Sequence, residues 1–245
     1  MLVNRISFII VTFVMMITLF IFTKNIILAG GVTFITVIAG YIVIAYMRNK
    51  KRLKLLEENC DPKAFLEATE KQMDITGKNP KIKTYLTIDK AAGLILMGEF
   101  QKAKEVLLSI EKSYLSVKNG TLLAYTINLI SCLYELGEIS YAEELFETQI
   151  PILPPVNQRM TLAMKLLVAE RFFFLNRYEE SKEKFQQLLS EKISKCIRLG
   201  ILYRLAQIDE KTGDIVSAQK KYKEVSDNGN KLWIAIQAQK HLKRI

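Results

Sequence analysis

Four short stretches of similar sequence decide the fold of this chain: Gly98-Glu99-Phe100-Gln101-Lys102-Ala103, Gly137-Glu138-Ile139-Ser140-Tyr141-Ala142, Asn176-Arg177-Tyr178-Glu179-Glu180-Ser181 and Gly213-Asp214-Ile215-Val216-Ser217-Ala218. Each begins with a Gly or Asn, which can adopt the left-handed conformation that ends a helix. An apolar or aromatic residue follows two positions later, and a small residue follows three positions after that. Each stretch therefore predicts a turn between two helices, with a small residue where the helices touch.

The four turns recur at a nearly constant interval. They begin at residues 98, 137, 176 and 213, so their spacings are 39, 39 and 37 residues. One helical turn beyond each small residue lies a large residue on the same helix face: Leu107, Phe146, Phe185 and Tyr222. Self-similarity with a period of this length predicts a solenoid of helix pairs.

The repeat resembles the tetratricopeptide repeat, a helical unit of about 34 residues. Seven positions before its turn that family has a small residue, where this chain has Ala91, Ile130, Ala169 and Ala206. Three positions later the family has a large residue, where this chain has Leu94, Leu133, Phe172 and Asp209. Pro154 falls at the family's closing proline, whereas the family's early Trp has no counterpart. The resemblance covers residues 60–230 and implies an α-solenoid of about four to five helix pairs.

Two uncharged, apolar runs precede the repeats, over residues 6–22 and 26–47. At about 1.5 Å per residue their lengths are about 25 and 33 Å, close to the roughly 30 Å of a bilayer's hydrocarbon core. We therefore expect two transmembrane helices that form a hairpin. The alternative for the first run is a cleaved signal peptide, but Thr23-Lys24-Asn25 offers no cleavage site of small residues.

Positive charge is concentrated beside the apolar runs. Residues 1–54 hold seven of the 35 basic residues and no acidic one, so residues 55–245 carry 28 basic and 25 acidic residues. This balance argues against a nucleic-acid-binding domain, which would need a basic stripe. The basic residues that flank the second run are Arg48, Lys50, Lys51, Arg52 and Lys54, and Arg5 precedes the first. They predict cytoplasmic termini by the positive-inside rule, with anionic lipid headgroups as a secondary contact.

These patterns divide the chain into four parts. Residues 1–47 are the predicted membrane anchor, residues 48–59 a basic juxtamembrane helix, residues 60–230 the repeats and residues 231–245 a capping helix. The predicted fold class is all-α, with a transmembrane helical hairpin followed by a solenoid that resembles tetratricopeptide repeats. The predicted location is the cell membrane, with a multi-pass anchor and with both termini and the repeat domain in the cytoplasm.

One more helix is predicted before the first turn. Asp61 suits the position that caps a helix, and Pro62 suits the first position inside it. Gly77 and Pro80 should end this helix, because neither continues a helix well.

Residues suited to metal binding or nucleophilic catalysis are scarce. Cys60, Cys132 and Cys196 lie far apart within helical patterns, which predicts reduced, packed thiols. His241 is the single histidine, so the sequence has no Cys/His metal spacing and no histidine base beside a nucleophile. The sequence therefore predicts a protein that is not an enzyme and that uses neither cofactor nor metal.

The family register implies which residues point to the inner, concave surface of the solenoid. These candidates for a peptide groove are Tyr85, Asn128, Ser131, Tyr134, Glu170, Phe173, Tyr203, Arg204 and Gln207. Aromatic rings with a few polar groups suit a peptide ligand. The alternative role for several of them is packing between repeats.

The predicted function is a membrane-anchored scaffold or adaptor whose cytoplasmic repeats bind a protein or peptide partner. The anchor would contact membrane lipids, and no nucleic acid is expected as a partner. Two alternatives stay open at this point. One is an assembly or quality-control factor for a membrane protein complex, in which the hairpin contacts the client. The other is a small enzyme with an unrecognised carboxylate site.

Overall fold

A computed structural model of the chain describes residues 2–76 and 79–245, with side chains from residue 8 onward. Gly77, which we expected to end a helix, and the side chain of Arg5 lie outside the described residues. Within them the chain is all-helical and has no β-strand. The described helices are α1 (Leu2–Thr23), α2 (Ile26–Glu57), α3 (Pro62–Thr76), α4 (Pro80–Leu96), α5 (Phe100–Leu108), α6 (Thr121–Glu135), α7 (Ile139–Gln149), α8 (Gln158–Phe174), α9 (Tyr178–Leu189), α10 (Lys195–Thr212), α11 (Ile215–Asn228) and α12 (Trp233–Leu242).

The chain divides into two compact units, residues 1–51 and residues 52–245. In the first unit most large apolar side chains are exposed, as Phe22, Ile27 and Tyr41 illustrate. Helix α2 is long and apolar enough to cross a membrane, whereas the apolar part of α1 is shorter. One helix of the described residues therefore has the length and composition of a membrane span.

The link between α1 and α2 is short and locally stabilised. Lys24 adopts the left-handed conformation, with a φ of +51°. The side-chain oxygen of Asn25 accepts hydrogen bonds from the backbone N–H groups of Ile27 and Leu28, at 3.0 and 3.2 Å. Asn25 thereby caps the first turn of α2.

Helix α2 continues through the basic segment to Glu57 without interruption. The sequence has no Gly or Pro between Tyr41 and Cys60, so nothing in it ends the helix at residue 47. The boundary between the two units accordingly falls between Lys51 and Arg52, inside α2. The sequence-based boundaries at residues 47 and 59 stay a prediction.

The four predicted turns are confirmed as left-handed helix ends. The φ angle is +78° at Gly98, +77° at Gly137, +60° at Asn176 and +90° at Gly213. After each of these residues, the next backbone N–H donates to the carbonyl oxygen five residues earlier, at 2.8 to 2.9 Å. This Schellman arrangement satisfies carbonyl groups that a helix end leaves without partners. Each turn joins two helices that pack together: α4 with α5, α6 with α7, α8 with α9, and α10 with α11.

The small residues after the turns lie in the core, as predicted. Those on the second helices, Ala103, Ala142, Ser181 and Ala218, are fully buried, as are Ala91, Ile130, Ala169 and Ala206 on the first helices. The Ser181 hydroxyl also donates to the carbonyl oxygen of Ala169 at 2.9 Å and so ties α9 to α8. The large residues Leu107, Phe146, Phe185 and Tyr222 are buried one turn further along.

Helix α3 begins where the sequence predicts, whereas the last helix is shorter than predicted. The Asp61 carboxylate accepts a hydrogen bond from the Ala64 N–H at 3.0 Å and caps α3. Helix α5 ends at Leu108, and a short 3-10 helix follows at Lys112–Tyr114. Helix α12 begins only at Trp233, because the residues before it contact the loop that precedes α3.

That contact joins the two ends of the second unit. The Lys231 N–H donates to the Cys60 carbonyl oxygen at 3.2 Å, and the Asn230 side-chain amide donates to the Asn59 carbonyl oxygen at 2.8 Å. The ammonium group of Lys231 lies 2.6 Å from a carboxylate oxygen of Asp61. The segment between α11 and α12 is therefore bound to the loop before α3.

Candidate functional site

A cavity of about 300 Å³ lies inside the second unit. Its walls come from α4, α6, α8 and α10, with the start of α12 on one side. Six aromatic residues line it: Phe100, Tyr134, Phe174, Phe185, Tyr203 and Trp233. Mostly apolar pockets of this size with a few polar groups are typical of ligand sites, at the small end of their range.

Space for the cavity comes from small residues on the first helix of each pair. Ala92, Ser131, Ala163 and Gly200 line it from α4, α6, α8 and α10. A Cβ atom added at Gly200 would meet no heavy atom within 4 Å. Glycine inside a helix costs roughly 0.5–1 kcal/mol relative to alanine. The structure therefore has an unfilled position beside Gly200 where a larger side chain would fit.

Trp233 closes one side of the cavity. Its ring centroid lies 5.2 Å from that of Phe100 and 5.5 Å from that of Tyr203, edge to face in both pairs. At Gly98, a Cβ atom would lie 3.0 Å from the Cβ of Trp233. Glycine is therefore required at residue 98 for two reasons: the positive φ angle of the turn and the close approach of Trp233.

A charged cluster forms the polar wall. The guanidinium of Arg204 donates from Nε to a carboxylate oxygen of Glu170 at 2.8 Å and from Nη1 to the side-chain oxygen of Gln207 at 2.9 Å. Its Nη2 pairs with Glu135. The guanidinium carbon also lies 4.9 Å from the ring centroid of Phe173. All three nitrogens of this cation are therefore bound within the protein.

Burial and charge shift the pKa values of this cluster. Burial raises the pKa of Glu170 above its ordinary value, and although Arg204 opposes this shift, the Glu135 carboxylate adds to it. Burial alone would lower the pKa of Arg204, but the two carboxylates outweigh it and hold that pKa above its ordinary value. The guanidinium therefore keeps its charge, while Glu170 is the group whose charge is costly. Burial also raises the pKa of Tyr203 to about 12.

Tyr134 is fixed in the wall by a hydrogen bond and a ring contact. Its hydroxyl donates to Glu143, and its ring stacks on that of Phe174 at a centroid distance of 5.0 Å. Burial and the bond to Glu143 raise the pKa of Tyr134, so the phenol stays protonated.

Two polar side chains of α6 face the cavity with unused hydrogen-bonding capacity. Asn128 and Ser131 are half-buried and lie one helical turn apart. Among the described residues, neither their amide nor their hydroxyl group has a hydrogen-bond partner in the protein. They offer donors and acceptors to whatever occupies the cavity.

The structure brings together six of the nine residues predicted for the groove. Asn128, Ser131, Tyr134, Glu170, Tyr203 and Arg204 line the cavity. The other three lie outside it: Tyr85 is exposed, Phe173 is buried in the core, and Gln207 binds Arg204. Tyr134, Phe173, Tyr203 and Arg204 are each at most 7% exposed, so they offer no open groove surface.

Glu135 and Trp233 are among the wall residues that sequence reasoning missed. Glu135 follows Ser131 by one helical turn, so the helix period could have placed it on the same face. Trp233 is the single tryptophan of the chain, but its contacts with Phe100 and Tyr203 join residues distant in sequence. No local pattern indicates those contacts.

The basic residues proposed to contact lipid headgroups fall into two groups. Arg48, Lys50, Lys51 and Lys54 are exposed. Arg52 instead is only 4% exposed, and its guanidinium donates to Asp89 at 2.6 Å and to the Thr69 hydroxyl at 3.0 Å. Arg52 is thus engaged inside the second unit, because the end of α2 packs there.

The described part of the chain contains no group of three or more His, Cys, Asp or Glu residues that could hold a metal ion. Cys60, Cys132 and Cys196 are buried and form no disulfide. Burial raises the pKa of Cys132 to about 12, so this thiol stays protonated and unreactive.

Comparisons with protein families, curated proteins and solved structures find no match to this chain. The class of protein is therefore defined by its own features: over residues 2–76 and 79–245 it is all-helical, with one helix long and apolar enough to cross a membrane, and its second unit has a cavity.

Proposed function

We propose that this chain is a membrane-anchored scaffold of the helical-repeat class, related in plan to tetratricopeptide-repeat proteins, whose second unit binds a protein partner. The repeat plan is supported by four turns that share the same backbone conformation. It is supported too by the buried small residues that recur beside those turns. In a solenoid of helix pairs the first helices line the inner surface, which commonly binds ligands.

The anchor in this proposal is a hairpin with both termini in the cytoplasm. Helix α2 and the apolar part of α1 would both cross the bilayer, with Lys24 and Asn25 at the turn. The exposed basic residues Arg48, Lys50 and Lys51 favour the cytoplasmic side by the positive-inside rule. The second unit then faces partners at the cytoplasmic surface of the membrane.

The cavity is the observation that carries the proposal. Its wall combines aromatic rings with the unpartnered polar groups of Asn128 and Ser131. Since Tyr134, Phe173 and Tyr203, three of the four aromatic residues predicted for an open groove, are buried, they offer an extended peptide no surface to lie along. A short anchoring group of the partner that enters the cavity fits better, as interface hot spots often fill a single pocket.

Photo-crosslinking in intact cells tests this proposal. A photoreactive amino acid at position 131 should give a discrete protein adduct, whereas one at the exposed position 220 should not. The adduct from position 131 should disappear when Gly200→Leu fills the cavity. Absence of any discrete adduct from position 131 would contradict the proposal.

A third crosslinking position separates the scaffold from the alternative function in membrane-protein assembly. Ile38 lies on α2 with an exposed side chain. A client bound by the anchor would form adducts from position 38 that persist in the Gly200→Leu variant. That result would favour an assembly or quality-control factor over a scaffold that binds through its repeats.

A further inference from the structure

We propose that the cavity selects an organic ammonium group on an apolar stem, as on a lysine side chain of the partner. The identification of a protein partner as the source of the ammonium group rests on the proposed function. The preference for an ammonium group rests on the wall of the cavity alone.

The charge of the wall is the first argument. The charged residues that line the cavity are Glu135, Glu170 and Arg204, which together carry one excess negative charge when both carboxylates are ionised. The side chain of Arg204 is 7% exposed, against 16% for Glu135 and 26% for Glu170. An occupant therefore meets the carboxylates more readily than the guanidinium. A cation would balance the excess charge, and such a pair is strong where water is excluded.

The bonding state of Arg204 argues against an anion. A carboxylate or phosphate ligand would need free guanidinium donors. One donor on each of Nε, Nη1 and Nη2 of Arg204 already binds Glu170, Gln207 or Glu135. An anion would have only the second N–H of Nη1 and of Nη2 left to bind, and it would add to the negative charge of the wall.

The uncharged part of the wall suits an ammonium on an apolar stem. Phe174 and Trp233, which are half-buried, supply aromatic surface, and cations are attracted to aromatic rings. The side-chain oxygens of Asn128 and Ser131 can accept hydrogen bonds from an ammonium group. Leu166 and Ile197 offer apolar contact to a methylene chain.

The chain carries its own reporter for a binding experiment. Trp233 is the only tryptophan and lines the cavity, so its fluorescence reports on occupancy without a label. The full-length protein in detergent would be titrated with n-pentylammonium, with the neutral 1-pentanol and with pentanoate. These three probes share an apolar stem and differ in the charge of the head group. We expect a saturable change with n-pentylammonium at a concentration about ten-fold lower than with 1-pentanol, and no saturation with pentanoate.

Substitutions locate the origin of this preference. Glu170→Gln and Glu135→Gln should each bring the affinity for n-pentylammonium close to that for 1-pentanol. Glu183→Gln is the matched control, because Glu183 is exposed on α9 and its side chain is 63% accessible. Gly200→Leu should abolish the response to all probes by filling the cavity. If that variant does not fold, Ala163→Met fills the same space from α8.

The outcomes separate this inference from the proposed function. Equal affinity for n-pentylammonium and 1-pentanol, or tighter binding of pentanoate, would overturn the ammonium preference even if position 131 crosslinks to a protein. A clear ammonium preference without any protein adduct would leave the preference standing and overturn the partner proposal. The ammonium group would then come from a free small molecule.

Discussion

The guanidinium of Arg204 is bound to Glu170 at 2.8 Å inside the helical unit, and it links two first helices of different pairs. Glu135, at the end of a third such helix, binds the same cation. One side chain of α10 thus joins α6 and α8 through charge. In the sequence, Arg204 is 34 positions from Glu170 and 69 positions from Glu135.

Loss of this cation should destabilise the fold. Arg204→Met leaves two partly buried carboxylates without their partner, so we expect the free energy of unfolding to fall by about 3–5 kcal/mol. Chemical denaturation of the full chain in detergent measures this loss. Arg198→Met is the control, because Arg198 lies on the same helix as Arg204 but forms an exposed pair with Glu224 of α11. This change should alter stability by less than about 1 kcal/mol.

Removal of the carboxylates as well should restore much of that loss. In the Arg204→Met background, Glu135→Gln and Glu170→Gln together remove the uncompensated negative charge. Stability should recover because the single change is destabilising only through the two carboxylates that it leaves desolvated without a cation. An Arg204→Met variant that is no less stable than Arg198→Met would contradict the structural role of the cluster.

The turn glycines should respond differently to alanine. Gly98→Ala should lower the free energy of unfolding more than Gly213→Ala, because both glycines have positive φ angles but only Gly98 contacts Trp233. The left-handed conformation itself costs an alanine roughly 1–2 kcal/mol. Gly200→Ala should instead gain roughly 0.5–1 kcal/mol, since Gly200 lies inside a helix with open space beside it. Thermal unfolding of the three variants tests this order, and a loss at Gly200 would mean that the space beside it is filled.

Overpacking should distinguish the repeat contacts from the cavity wall. Ala142→Leu should destabilise the protein by about 1–3 kcal/mol, because Ala142 is fully buried between two helices. Ala163→Leu adds the same atoms at a position that borders the cavity, so we expect a smaller loss. Denaturation midpoints measure both changes. Equal losses would show that the cavity collapses around the added side chain.

Asp209 should contribute stability that is lost in acid. Burial pushes its pKa upward, but hydrogen bonds from Lys182, Lys221 and Ser217 outweigh burial and lower the pKa below 3.8. A carboxylate with a depressed pKa in the folded state stabilises that state fully above its unfolded pKa. The contribution declines as the pH falls below that value and through the folded pKa.

The Asp209→Asn variant tests this dependence. It should be less stable than the parent protein at neutral pH, and the difference should shrink as the pH falls below 3.8. Asp214→Asn is the control, because Asp214 is an exposed helix cap that asparagine can replace. A stability difference that stays constant from neutral pH into acid would contradict this account.

The topology of the anchor can be tested with single cysteines. In a background without the three native cysteines, a cysteine at exposed position 25 should react with an impermeant thiol reagent on intact cells. A cysteine at exposed position 223 should not react, since the positive-inside rule places the second unit in the cytoplasm. Labelling at position 223 alone would reverse the predicted orientation.

Local sequence patterns determined the helices and their turns. The Gly or Asn at residues 98, 137, 176 and 213 predicted left-handed helix ends, and the backbone angles confirm all four. The small residues that follow them predicted close helix contacts, and all four are fully buried. These features depend on neighbours within one or two helical turns, so a linear pattern is enough to predict them.

The tertiary structure alone decided how the inner surface closes. The sequence placed Tyr134 and Tyr203 on an open groove, but they are buried in the wall of a cavity beside Trp233. The contact between Lys231 and Cys60, which brings the ends of the second unit together, spans most of that unit. Closure depends on small rotations between successive helix pairs that add up along the chain, and no local pattern records their sum. The binding of Arg204 by Glu135 and Glu170 has the same origin, because only the packed helices bring these three side chains within hydrogen-bonding distance.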